Sequence, residues 1–190
     1  MRSFTNYRLL AVGLVIFAVT VFGAQIINGM AIRASSPGAA LARDMVVEWK
    51  QVIGIIQAGN TVGSGTGKVT GGGAPWTTRG GSAEVNLSTG RLQFQVQGLV
   101  LAGGNAIGTP DNVTMVKGTL VCDTTGTANG NSTLVDTPLV PLSAQGDAKF
   151  RGDLGTLPLA CVNEPNLAFL MRTGGGAWLA NCAVRSLESE

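Results

Sequence analysis

The stretch "RLQFQVQGLVLA", Arg91 to Ala102, decides how the rest of the chain is read. Leu92, Phe94 and Val96 alternate with Gln93, Gln95 and Gln97. A period of two sends successive side chains to opposite faces of a pleated strand, so the apolar set faces a core and the glutamines face water. "SAEVNL" precedes it across "STG", Ser88 to Gly90, a short loop with glycine near its end, which predicts a β-hairpin. Further short apolar runs follow at "VTMVKGTLVC", "TLVDTPLVPL", "DAKFRGDL", "NLAFLMR" and "AWLANCAV", separated by Gly, Asn, Asp and Pro clusters. Seven or more short strands between turn signals, with no convincing helical stretch, predict an all-β fold. The expected architecture is an antiparallel β-sandwich, Ig-like or jelly-roll-like, over residues 45–190.

Residues 41–59, "LARDMVVEWKQVIGIIQAG", fit two templates. Helical spacing groups Met45, Val46, Trp49, Val52, Ile53 and Ile56, and Ser36-Pro37 would start such a helix. Period two groups Met45, Val47, Trp49, Ile53 and Ile55, with β-branched residues dominant. An internal echo favours a strand for the second half. Gly54, Ala58, Gly59, Asn60 and Gly63 align with Gly98, Ala102, Gly103, Asn105 and Gly108 once a glycine is inserted. Because "QFQVQGLVLA" reads as a strand, "KQVIGIIQA" is expected to be one too, while residues 41–52 stay open between helix and strand.

The N-terminus predicts export. "MRSFTNYR" carries two positive charges, and "LLAVGLVIFAVTVFGA" is an unbroken apolar run, the pattern of a signal peptide over residues 1–31. Gly29-Met30-Ala31 offers small residues for cleavage, with Ala40-Leu41-Ala42 as a second site; residues 32–44 would be a linker. The alternative is an uncleaved membrane anchor, because no charge interrupts Leu9 to Ile32. Either way the expected location is secreted, periplasmic or at the cell surface. Arg2 and Arg8 account for two of the 13 Lys+Arg, so the body beyond residue 31 carries 11 charges of each sign. A neutral body without a basic run argues against nucleic acid as a partner.

In an oxidising compartment Cys122 and Cys161, each ending an apolar segment, are expected to pair as a bridge between neighbouring strands. Cys182 is left over: it could displace either partner, stay buried as a free thiol, or link two chains.

The chain has no histidine, which excludes Ser-His and Cys-His nucleophiles and histidine metal sites. "GNTVGSGTGKVTGGG", Gly59 to Gly73, suggests a phosphate cradle but fails the test. Around Gly67-Lys68 a P-loop would need glycine at Val62 and a hydroxyl at Val69. The dinucleotide pattern meets Lys68 or Thr70 where its last glycine belongs. The stretch is expected to be an exposed, flexible loop in which glycine supplies positive φ. The nucleophile elbow around Ser64 lacks both of its glycines. Asp147 and Asp153 would share a strand face about 20 Å apart, too far for an acid and base pair. Asp123, Asn129 and Asn131 could offer oxygens to calcium, but their spacing is not that of an EF-hand. No catalytic residue, cofactor or metal is therefore expected.

Trp76, beside a proline in a glycine-rich loop, is a candidate platform for a sugar ring, whereas Trp49 and Trp178 lie in core strands. Asn60 and Asn105, in the two echoed loops, are the other candidate ligand contacts. Asn86, Asn112 and Asn131 head N-x-[ST] sequons.

"GLVLAGGN", "VKGTLVCD" and "PLSAQGDAKF" make the body resemble exported bacterial all-β proteins of uncharacterised function. "QVQGL" is similar to a strand of CHRD-type domains, whose histidines are missing here, so the resemblance implies no metal or catalytic role. The expected function is a non-enzymatic binding or structural module at the cell surface or in the periplasm. Its contact surface would be formed by the Gly59–Gly73 and Gly103–Asn112 loops, and its partner would be a glycan or a cell-surface protein. The alternatives are a carboxylate-based hydrolase of extracellular polysaccharide and a membrane-tethered assembly subunit.

Overall fold

The computed structural model describes residues 45–163 and 166–189. The segments read above as signal peptide or anchor (1–31) and linker (32–44) lie outside the described residues. The strands are β1 (Met45–Gly54), β2 (Thr61–Val62), β3 (Val69–Thr70), β4 (Trp76–Thr77), β5 (Gly80–Asn86), β6 (Arg91–Gln97) and β7 (Val100–Leu101). They continue with β8 (Met115–Cys122), β9 (Thr133–Asp136), β10 (Val140–Pro141), β11 (Ala148–Asp153), β12 (Leu167–Thr173) and β13 (Trp178–Ser189). Among the described residues one short α-helix, α1 (Leu159–Asn163), precedes β12, and a 3-10 turn spans Gly65–Gly67. The protein is all-β.

The main sheet is antiparallel, in the order β10-β8-β12-β13-β1-β5-β6-β11, with β9 pairing β8 beside β10. The sheet curls. Its curl brings Phe94 of β6 within 5.9 Å of Phe169 of β12, strands far apart in that order, while Trp49 of β1 lies 5.7 Å from Phe169. Gly118 of β8 faces this aromatic group, and a Cβ there would stand 2.5 Å from the Phe169 ring and 2.9 Å from that of Phe94. Only glycine leaves room for both rings. Leu92, Phe94 and Val96 are buried, as their alternation with glutamine predicts.

The β5–β6 hairpin forms as expected, with Val85 opposite Leu92. Asn86 Oδ1 accepts the N–H groups of Ser88 and Thr89 at 3.0 and 2.9 Å. Gly90 closes the turn at φ 76°, a conformation that costs glycine little.

Residues 45–54 resolve as strand, and the reason two templates fitted is visible in the burial. Val47 and Trp49 face the core, but the next core residue is Val52. The inward phase slips by one residue at Lys50–Gln51. There the ladder with β13 skips Lys50, and Val184 across from it takes φ 55°. A slipped alternation satisfies neither a period of two nor one of 3.6.

Cys122 and Cys161 form the disulfide, with Cα atoms 4.9 Å apart. One part of the expectation is corrected: Cys161 lies in α1, not in a strand, so the bridge pins a helical turn to the end of β8. Pro158 and the short "LACVN" turn interrupt what reads in sequence as another apolar strand. Cys182 is a buried free thiol.

Candidate functional site

The glutamines that reveal β6 also line depressions on the outward side of the sheet. On the outward face of β1, β5, β6 and β11, strand register sets Ser186, Glu48, Glu84, Gln93 and Arg151 in one cross-strand row. Ser82, Gln95 and Lys149 form the neighbouring row. Two adjoining depressions of 540 Å³ each lie along these rows and share Glu84, Gln93 and Arg151. Gln93 Nε2 donates to Glu84 at 3.0 Å, and Gln95 Nε2 donates to Ser82 at 3.4 Å. Glu48 accepts from Ser186 at 3.4 Å and lies 3.6 Å from the Lys50 ammonium. Amides and carboxylates held on strands in this way keep free lone pairs and N–H groups toward solvent at fixed spacing, suited to a ligand rich in hydroxyls.

The residues singled out from the sequence lie elsewhere. Trp76 is 6% exposed and belongs to the core, so the expectation of an exposed ring platform is corrected. Pairing of β4 with β7 sets its ring inward. Asn60 is exposed, and its backbone carbonyl accepts Gly71 N–H at 2.7 Å and Trp178 Nε1–H at 3.0 Å. Asn105 is exposed. Gly59 N–H donates to the Gly72 carbonyl, closing the first loop on itself, and Ala102 N–H, just before the second, donates to the Pro75 carbonyl.

The glycine-rich stretch is not a free connector. Ser64 N–H donates to Ser132 Oγ at 2.8 Å, Ser132 N–H returns to the Ser64 carbonyl at 3.0 Å, and Thr66 N–H donates to Asn131 Oδ1 at 2.9 Å. A Cβ on Gly67 would stand 1.9 Å from the Ser132 carbonyl oxygen. The loop lies flat on residues 123–132, and close approach demands glycine there.

That second loop is organised by Asp123, which is fully buried. Its carboxylate accepts Thr127 N–H at 2.8 Å, Thr127 Oγ1–H at 2.9 Å and Ala128 N–H at 2.9 Å. The Ala128 N–H does most to hold this carboxyl below its ordinary value; burial pushes the other way, and Thr127 adds to the lowering. Asn131 Oδ1 is likewise taken by Thr66, and Asn129 Oδ1 by Asn131 N–H. These oxygens are spent on internal donors, and among the described residues no cluster of acidic, Cys or His side chains could hold a metal.

Asp147 accepts from Gly98 N–H at 2.9 Å and pairs with Arg79 at 3.2 Å, while Asp153 accepts Gly155 N–H at 2.7 Å. Both act as turn and strand-end residues. A third acidic centre had no sequence signal: Asp136 of β9 meets Lys117, the Thr119 hydroxyl at 2.6 Å and Arg172 at 3.2 Å. Burial raises its pKa, but the hydrogen bonds from Lys117 and Thr119 and the charges of Lys117 and Arg172 outweigh it and leave it lowered. Burial pushes the Cys182 thiol up to about 12.

The polar rows were missed because their members are neighbours only across strands. Glu48 and Glu84 face one another in register, yet nothing in sequence spacing links them. The glutamine alternation was the one legible sign: it sets the glutamines toward water but not what they meet across the strands. Among the described residues no helix is long and apolar enough to cross a membrane. Comparison with family models, curated proteins and solved structures gave no match in any of the three.

Proposed function

We propose that this chain is an exported, non-enzymatic binding module that takes an extended, hydroxyl-rich ligand, a glycan, on the outward face of β1, β5, β6 and β11. The observation that carries the reading is the paired polar rows. In a chain with only 13% charged residues, Glu48, Glu84, Arg91, Lys149, Arg151 and Asp153 gather with Gln93 and Gln95 around two adjoining depressions. The scaffold is read as a β-sandwich, its layers being the two halves of the curled sheet. The Phe94–Phe169 contact and the space that Gly118 leaves between layers support this. The Cys122–Cys161 disulfide fits an oxidising environment outside the cytoplasm.

The test is calorimetric titration of soluble oligosaccharides against the whole chain and a Gln93→Ala/Gln95→Ala variant. We expect at least about tenfold weaker binding in the variant, equivalent to about 1.4 kcal/mol. Binding that survives this change but falls with Asn105→Ala would return the site to the loops.

One observation favours a second reading, a polysaccharide hydrolase. Glu48 and Glu84 are directly opposed across β1 and β5, which places their Cβ atoms about 5 Å apart and sets on one face the two carboxyl groups that a glycosidase uses. Release of reducing ends from a polysaccharide, abolished by Glu84→Gln, would replace the binding module with this enzyme.

A further inference from the structure

We infer that the ligand of this face is acidic: a glycan bearing carboxylates, whose anionic groups are held by Lys149 and Arg151 of β11 with Arg91 of β6. The inference rests on the glycan-binding reading above and specifies its ligand class.

The cations of the described residues differ in their surroundings: Lys68 stands exposed in the Gly59–Gly73 loop, away from this face, and Arg185 of β13 donates to the Leu167 carbonyl at 3.4 Å. Lys50, Arg79, Lys117 and Arg172 each have an acidic partner within 4.0 Å. Arg91, Lys149 and Arg151 are exposed, and among the described residues no acidic group pairs with any of the three. Lys149 sits opposite Gln95 and Arg151 opposite Gln93, so both cations extend the polar rows at their β11 end. Being two residues apart on one strand face, they are about 7 Å from each other along it. Arg91 lines the adjoining depression opposite Asp153, with no ion pair within 4.0 Å between them, so that depression is the more nearly neutral of the two and Lys149 and Arg151 carry the charge of the site.

Glu48 and Glu84 do not cancel this end. Glu84 is separated from Arg151 by β6, a distance of about 10 Å between strand axes, and Gln93 stands between them. Along a row, therefore, the face offers a carboxylate acceptor, an amide that both donates and accepts, and then an unpaired cation. A sugar ring meets the first two with its hydroxyls, and a carboxylate on the same chain meets the third. The arginine fork matches a carboxylate in two parallel hydrogen bonds. The neighbouring row of Ser82, Gln95 and Lys149 replaces the carboxylate by a hydroxyl but repeats the amide and the cation, which suits a polymer with recurring acid groups. The competing role for these cations is to discourage pairing at the open edge of β11, a sheet-end strand, and that role predicts no dependence on ligand type.

The experiment measures binding of the whole chain to polygalacturonate, dextran sulfate and neutral dextran, for wild type, Lys149→Gln/Arg151→Gln and Gln93→Ala/Gln95→Ala. Because Lys149 and Arg151 are exposed, their replacement should leave the thermal midpoint unmoved, so lost binding cannot be lost folding. The expected result is binding to polygalacturonate, weakened at least about tenfold by the charge variant and by added salt, with neutral dextran bound more weakly by a similar factor. Dextran sulfate bound as tightly as polygalacturonate would show a bare charge effect and overturn the carboxylate assignment. Neutral dextran binding that falls with the glutamine variant and ignores the charge variant would overturn this inference and leave the glycan-binding face standing. Polygalacturonate binding indifferent to both variants would remove both.

Discussion

Asp136 holds two cations, Lys117 and Arg172, that have no other acidic partner within 4.0 Å among the described residues. Arg172 is buried along most of its side chain, at 11% exposed, so replacing Asp136 strands a guanidinium in a poorly solvated place. The aspartate itself is 36% exposed, and solvent screening reduces the loss, so Asp136→Asn should cost about 2 kcal/mol in chemical unfolding. The sign of its pH dependence follows from the lowered pKa. Its contribution is complete above the unfolded value of 3.8 and disappears as pH falls through the lower folded value, so wild type should lose stability in acid more steeply than the Asn variant. Cys182 behaves in the opposite sense. With its thiol raised to about 12 by burial, the folded chain keeps the proton that the unfolded chain gives up near 9. That contribution is whole below pH 9 and falls between pH 9 and 12 by on the order of 1 kcal/mol per pH unit. A thiol reagent at neutral pH should leave the native protein unlabelled and modify one thiol after unfolding without reduction, since the other two cysteines are joined.

At the scale of elements, two loops brace one another where the sequence shows only flexible composition. Ser64–Gly67 lies on Asn131–Ser132, and Asp123 holds residues 124–128 from beneath. Gly67→Ala forces a methyl into the Ser132 carbonyl, so the two loops must part. Hydrogen exchange should report this as faster exchange at Thr127 and Ala128, with roughly 1–2 kcal/mol of local protection lost and the β5–β6 hairpin unchanged. Composition tells that a glycine is tolerated; the oxygen lying against it tells that nothing else is. The strand–turn–strand of β5 and β6 was legible because its signals are local, alternation and a short loop with glycine near its end; the Asn86 side chain that holds the turn was seen only in the structure. The burial of Trp76 was not, because Pro75 and the flanking glycines describe a loop while pairing with β7 draws the ring inward.

For the molecule as a whole, the point where the curled sheet closes on itself is Gly118. Gly118→Ala should destabilise by about 1–3 kcal/mol, because the new methyl meets the Phe94 and Phe169 rings at once and neither can retreat from a packed interior. Urea unfolding would measure it, and a compensating Phe94→Leu should recover part of the loss. An unaltered midpoint in Gly118→Ala would mean that the two halves of the sheet do not meet there. The polar face depends on the same closure indirectly, since Phe94 lies inward between Gln93 and Gln95, and its packing sets the pitch at which the glutamines stand outward.

What the sequence by itself determined is the all-β class, the β5–β6 hairpin, the inward set of β6 and the exclusion of histidine chemistry, while the choice of Cys161 over Cys182 as partner of Cys122 waited for the fold. Each depends on residue type or on neighbours within one strand or turn, and such information survives in a linear string. Only the tertiary structure decided that Glu48 faces Glu84, that Arg151 continues the row begun by Gln93, that Cys161 sits in a helical turn and that Gly67 and Gly118 admit no side chain. These are statements about register between distant strands and about atoms meeting across the fold, and sheet pairing sets them after the local pattern has already been written.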